Sequence, residues 1–183
     1  MAVGAPIAAM TLPKRRTRLF AGLLALCLSS LWIAGHTPPP LIHPGVLEFT
    51  AIDVRQADSS LIVTPQGKMV LIEAAGPLGF GQSDFDLGEG VLSPYLWARG
   101  ISRLDRAVLT HGHSDHVGGV RAVLENFKPQ ELWVGPVPPN RGFLDLLAQA
   151  KRQGIKVVSR AEGDSCQCGG LNVQVLAPPA TGK

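Results

Sequence analysis

An α/β fold standing behind one apolar helix is what this 183-residue sequence predicts, and three observations carry that reading. Residues 47–72 alternate apolar and polar side chains in runs around the turn Pro65-Gln66-Gly67, the period-two pattern of strands. After residue 105, short apolar runs interleave with two segments of helical period, giving βαβαβ. Ahead of both lies an uncharged stretch, residues 19–35, LFAGLLALCLSSLWIAG.

That stretch reaches about 25 Å as a helix, at about 1.5 Å per residue, enough to span a bilayer with some thinning. Lys14, Arg15, Arg16 and Arg18 stand directly before it, and no Lys or Arg follows until Arg55. The positive-inside rule then predicts a single-pass protein of the plasma (inner) membrane, with its N-terminus in the cytoplasm and the rest on the outer or periplasmic side. A cleaved signal peptide is the alternative, although Ile33, third before a cut after Gly35, is larger than the residue such sites use. Four regions follow: a basic N-terminus (1–18), a transmembrane helix (19–35), a proline-rich spacer (36–45) and a domain (46–183).

Composition bounds the rest. With 45% hydrophobic and 17% charged residues the chain is not disordered as a whole. The net charge of +3 comes from the flank of the apolar stretch; without those four residues, 13 basic side chains stand against 14 acidic ones. No bulk attraction to nucleic acid is visible in the domain, so DNA would have to be held by a local patch or by other domains.

The elements follow in order. Three consecutive prolines, 38–40, make an extended spacer in which His36 and His43 read as solvated residues. Residues 47–52, 61–64 and 69–72 form a β-meander. Residues 76–90 are a Gly- and Asp-rich loop of functional length, after which Ser93 caps a short helix with Pro94 in its first turn. The run 107–109 is a buried strand, and Gly118-Gly119 opens the next helix. Val120, Val123, Leu124 and Phe127 form one apolar stripe, and Phe143, Leu146, Leu147 and Ala150 another, with Lys151, Arg152 and then Gly154 ending the second helix. Residues 131–134, 156–158 and 171–176 are strands; Cys166 and Cys168 share one face of a hairpin arm and read as small buried hydrophobes.

Thr110-His111-Gly112-His113-Ser114-Asp115-His116 concentrates three of the five histidines and an aspartate directly after a strand. Neutral imidazoles and a carboxylate are ligands for zinc, manganese or iron, and His111 and His113, two apart in extended backbone, project to one side. Asp115 and His116 point at a second ion. The cluster leaves the sheet at a carboxyl end, where open α/β sheets hold their ligands.

The ordered segments IDVRQADSSLIVTPQGKMVLIEAAG (52–76), VLSPYLWARGISRLD (91–105) and THGHSDHVGG (110–119) closely resemble the metallo-β-lactamase-like domain of ComEC-type DNA-uptake (competence) proteins. The third segment alone marks only the superfamily. The resemblance implies an αββα sandwich and two divalent metal ions, zinc first and manganese as the alternative. His111 and His113 would hold one ion, Asp115 and His116 the other, with Asp115 also the catalytic residue. It further implies hydrolysis of single-stranded DNA outside the membrane, with other DNA-uptake components as partners. Glu73 stands where the family has an Asp after the third strand, and would buttress a ligand histidine from behind. Arg55 and Ala57 replace glycines of the family's first motif, which leaves that turn's conformation open.

The family's full domain has a second half with a further ligand Asp and His, whereas no histidine follows His116 here. The expectation is a fragment or truncated gene product that binds fewer than two ions. Two other readings stay open: an exported metallo-hydrolase of small molecules, lactamase-like, and an inactive half-domain.

Overall fold

A computed structural model of the chain describes residues 14–35, 39–54, 58–74, 85–110, 114–136 and 140–177. The chain forms two compact units, Met1–Pro38 and Pro39–Lys183. The first contains helix α1 (Lys14–Gly35). Its window Arg16–Ile33 is long and apolar enough to cross a membrane by length and composition. Ser29 donates its hydroxyl back to the Leu26 carbonyl at 2.9 Å, so this polar group needs no partner outside the helix.

The second unit is built on a six-stranded sheet in sequence order, from β1 (Glu48–Ala51), β2 (Ser60–Val63) and β3 (Met69–Ile72) to β4 (Arg106–Leu109), β5 (Glu131–Val134) and β6 (Lys156–Ser159). The first three strands pair antiparallel; from β3 onward the pairing is parallel. Parallel neighbours need crossovers, and these are a π-helical turn (Gly88–Leu92) running into α2 (Ser93–Ala98), then α3 (Ser114–Phe127) and α4 (Arg141–Arg152). The expected meander followed by βαβαβ is what forms.

Register separates the two faces. Leu61, Leu71, Ala107 and Leu132 line up across the sheet and are buried, as are Val63, Leu109 and Val134. They share one core with Leu92 and Leu96, with Val120, Val123, Leu124 and Phe127 of α3, and with Phe143, Leu146 and Ala150 of α4. Both helical stripes read from the sequence are therefore core. Asn140 caps α4, its side chain accepting from Phe143 N at 2.9 Å.

The opposite face carries a polar row, Arg106–Glu131–Lys156, across three strands. Glu131 accepts from Lys156 Nζ at 2.9 Å, Trp133 Nε1 at 2.9 Å and Arg106 Nε at 3.2 Å. These donors, Lys156 foremost, hold its carboxyl at about 2. The guanidinium groups of Arg106 and Arg160 lie 5.0 and 4.8 Å from the Trp133 ring centroid. A two-stranded sheet, β7 (Ser165–Cys168) with β8 (Leu171–Gln174), meets this side, where Arg106 Nη1 donates to Cys168 Sγ at 2.6 Å. Cys168 is buried and its thiol is pushed above the ordinary range by that burial, which keeps it protonated at neutral pH.

Three local expectations change. Ser93 caps nothing: the π-helical turn already runs through it, and its buried hydroxyl accepts from Asn126 Nδ2 at 2.9 Å. Gly118-Gly119 does not open a helix either, since α3 begins at Ser114. The glycines permit close approach, as a Cβ on Gly88 would lie 2.5 Å from the Gly119 carbonyl oxygen. The end of the spacer is tied to the domain, because Leu41 N donates to Arg99 O at 2.8 Å and Arg99 Nη2 donates back to Leu41 O at 2.7 Å. Arg99 also pairs with Glu48 Oε2 at 2.7 Å, and Glu48 Oε1 accepts from His43 N at 2.7 Å and meets His43 Nδ1 at 2.8 Å. His43 is thus exposed yet bonded. Ile42 packs against the core.

Candidate metal centre

The cluster 110–116 begins where β4 ends, and β4 is pinned at both of its ends by a carboxylate, its own leading Asp105 at the start and Glu73 after β3 at the finish. At its start, Asp105 accepts from Met69 N at 2.9 Å and from Lys68 Nζ at 2.8 Å, while its own amide donates to Met69 O at 2.9 Å. Strand β4 is thereby keyed to β3 from the first residue. At its finish, Thr110 N donates to Glu73 Oε1 at 2.7 Å, and Thr110 Oγ1 donates to the same oxygen.

Glu73 follows β3 directly. Strands β3 and β4 are parallel, with Ile72 opposite Val108, so their carboxyl ends emerge side by side and bring Glu73 against Thr110. The Glu73 backbone sits at φ 54, the left-handed region, which costs a non-glycine residue about 1 kcal/mol or more. It is held there by Glu73 N donating to Val108 O at 2.9 Å and by Ser59 Oγ donating to Glu73 O at 2.9 Å. Both Glu73 and Ser59 are buried. A buried carboxylate that accepts from a backbone amide and a hydroxyl is a fixed bracket for whatever follows Thr110.

Of the candidate ligands, His111 and His113 lie outside the described residues. Asp115 and His116 stand in the first turn of α3. A carboxylate is favoured there by the positive end of the helix dipole. Among the described residues no group of three or more His, Cys, Asp or Glu comes together. Arg55 and Ala57, and residues 75–84 of the long loop, also lie outside the described residues. The far end of that loop is helical and abuts α3, through Gly88 against Gly119 and Ala122.

The donor set fits a divalent ion of zinc or manganese type. The sequence 111–116 offers three imidazoles and one carboxylate, and that mixture is the borderline-soft set such ions prefer. Sequence reasoning found Glu73 but not the parts of Ser59 and Asp105: both lie inside segments that carry the family resemblance, yet nothing in the sequence says that Ser59 reaches the Glu73 carbonyl or that Asp105 reaches Met69 and Lys68. Thr110 was legible only as the residue before His111.

Comparison with known proteins gives the family. The chain is 33% identical over 147 residues to ComE operon protein 3 of Bacillus subtilis (strain 168), an alignment covering 73% of this chain and 18% of that protein. It thus spans about a fifth of that relative's length. Among solved structures, the metal-soaked Flv1 flavodiiron core from Synechocystis sp. PCC6803 is similar at 12% identity and a TM-score of 0.41, over 66% of this chain and 30% of that one. The family model of the metallo-beta-lactamase superfamily matches residues 52–174, from the end of β1 through β8. With a match over most of its domain, and with the HxHxDH segment at the carboxyl end of β4, the chain belongs to the metallo-beta-lactamase superfamily.

Proposed function

We propose that this chain is the metal-dependent hydrolase part of a DNA-uptake membrane protein, acting on phosphodiester bonds of single-stranded DNA outside the plasma membrane. The observation that carries the proposal is the similarity to ComE operon protein 3 across the domain, together with HxHxDH directly after the bracketed Thr110. His111 and His113 would hold one divalent ion, Asp115 and His116 a second, with zinc the better match and manganese the next. Bound there, such ions polarise a phosphoryl oxygen and make water a usable nucleophile near neutral pH.

The chain's own residues have separable tasks in this reading. Glu73 keeps the entry of the ligand segment in one position through Thr110. Asp115, in the first turn of α3, would serve as ligand and catalytic carboxylate. Helix α1 with its basic flank, Arg16 and Arg18 among it, supports a single span with the domain on the outer side. Other DNA-uptake components would then hand the strand to the domain, whose own charge gives little general attraction to DNA.

The test uses membranes containing the gene product as its host makes it, supplied with zinc or manganese and single-stranded DNA. We expect DNA hydrolysis that falls roughly a thousandfold or more with His113→Ala and stays unchanged with His43→Ala. Equal cleavage by the His113→Ala variant sinks the assignment of the metal ligands. Turnover of β-lactams without DNA cleavage replaces the phosphodiester reading with a small-molecule hydrolase.

A further inference from the structure

Ser59 lies in the connection between β1 and β2, remote in sequence from the histidine cluster, and is only 4% exposed. A hydroxyl buried to that degree needs a partner, and it has one in the Glu73 carbonyl oxygen at 2.9 Å. The choice of partner matters because Glu73 is one of two described non-glycine residues with positive φ. A backbone in that region relaxes unless its neighbours over-determine it. Three ties converge on this residue: Ser59 on its carbonyl, Val108 on its amide and Thr110 on its carboxylate. The first fixes the direction in which the peptide after Glu73 leaves β3. The second fixes Glu73 to β4, and together they aim the side chain at Thr110.

We propose that Ser59 is a positioning residue for the candidate metal segment: through the left-handed backbone of Glu73 it holds Thr110, the residue that leads into His111. The inference rests on the metal-centre reading for its purpose, although the chain of contacts from Ser59 to Thr110 stands by itself. Removing the Ser59 hydroxyl leaves the Glu73 carbonyl without that donor in a buried place and lets the strained backbone turn, which carries Oε1 away from Thr110. The metal ligands themselves are untouched. The effect should therefore be a loosened entry to the segment rather than a lost donor.

The experiment uses the full chain in detergent micelles, with two readouts. The first is hydrogen exchange at the Thr110 amide, which reports its bond to Glu73. The second is zinc affinity by competition with a chromophoric chelator. Ser59→Ala should speed Thr110 exchange about tenfold and weaken zinc by about tenfold to a hundredfold. Ser59→Thr, which keeps the hydroxyl, should restore both. Adding Ser59→Ala to Glu73→Ala should change neither further, as expected of residues acting in series. Val63→Ala, a truncation in the neighbouring core, serves as the control for general loss of stability.

Unchanged exchange at Thr110 in Ser59→Ala overturns the proposal, whatever the zinc result. So does an equal loss of zinc affinity in Val63→Ala, because that would make the Ser59 effect a matter of stability alone. A wild-type chain that takes up no zinc or manganese overturns the metal-centre reading instead, and the Thr110 exchange rates then still decide whether Ser59 holds the segment.

Discussion

Glu48 joins three pieces of chain: its own strand β1, His43 in the residues leading to it, and the distant Arg99 beyond α2. The Arg99 guanidinium, with the His43 amide and ring next, holds its carboxyl at about 2 against an ordinary 4.5. The unfolded chain therefore takes up the proton first as pH falls. The stabilisation is complete above about 4.5 and drains away as the pH drops towards 2. Glu131 behaves the same way for its own reasons, Lys156 first among them. We expect Glu48→Gln to lower the melting temperature at pH 7 and to flatten its decline between pH 4.5 and 2, measured by thermal unfolding across that range. An unchanged slope would mean that the clasp is not formed in solution. At Asn140, replacement by Ala should cost about 1 kcal/mol in denaturant unfolding through loss of the α4 cap. Little of this was legible in the sequence. His43 read as a solvated residue because the proline spacer holds no acidic residue, and Glu48, only five residues on, was read as a strand position alone.

Helices and strands were far more legible, since each is announced by a repeat in its own residues. Val120, Val123, Leu124 and Phe127 declare α3 by spacing alone, and all four are buried. Truncating Leu124 to Ala should cost about 2–5 kcal/mol, read from denaturant midpoints, because it opens a cavity beneath the sheet. The junctions between elements were misread where a residue's job is set by another element. Gly118-Gly119 resembles a helix boundary, yet α3 runs through both and Gly119 admits the π-helical turn at Gly88. Ser93 has the chemistry of a cap and is instead buried against Asn126. Gly88→Ala should therefore destabilise by about 1–3 kcal/mol through overpacking. Its cost should fall on the first half of α3, visible as faster amide exchange there. Exchange that rises only in α4 would show that the contact does not restrain α3.

For the molecule as a whole, the metallo-beta-lactamase membership was legible because three ordered segments, the third of them a dense ligand cluster, can be read without any knowledge of packing. The bracket behind that cluster was only half legible: Glu73 could be named, but not that it works on Thr110 and leans on Ser59. If the proposed topology holds, protease added outside intact cells should release a domain that still carries Leu41 to Gly45, because that segment is bonded to Arg99, Glu48 and Pro65. Full protection, or cuts within 41–45, would contradict it. The same attachment has a mechanical consequence. A pull transmitted along the chain from Pro39 meets the two opposed Leu41–Arg99 hydrogen bonds before it meets any rung of β1. Load is thus delivered to the end of α2 as well as to the edge strand. The sheet edge is spared from being unzipped one rung at a time, and tension on the tether should reach the β3–β4 end only after this joint has torn.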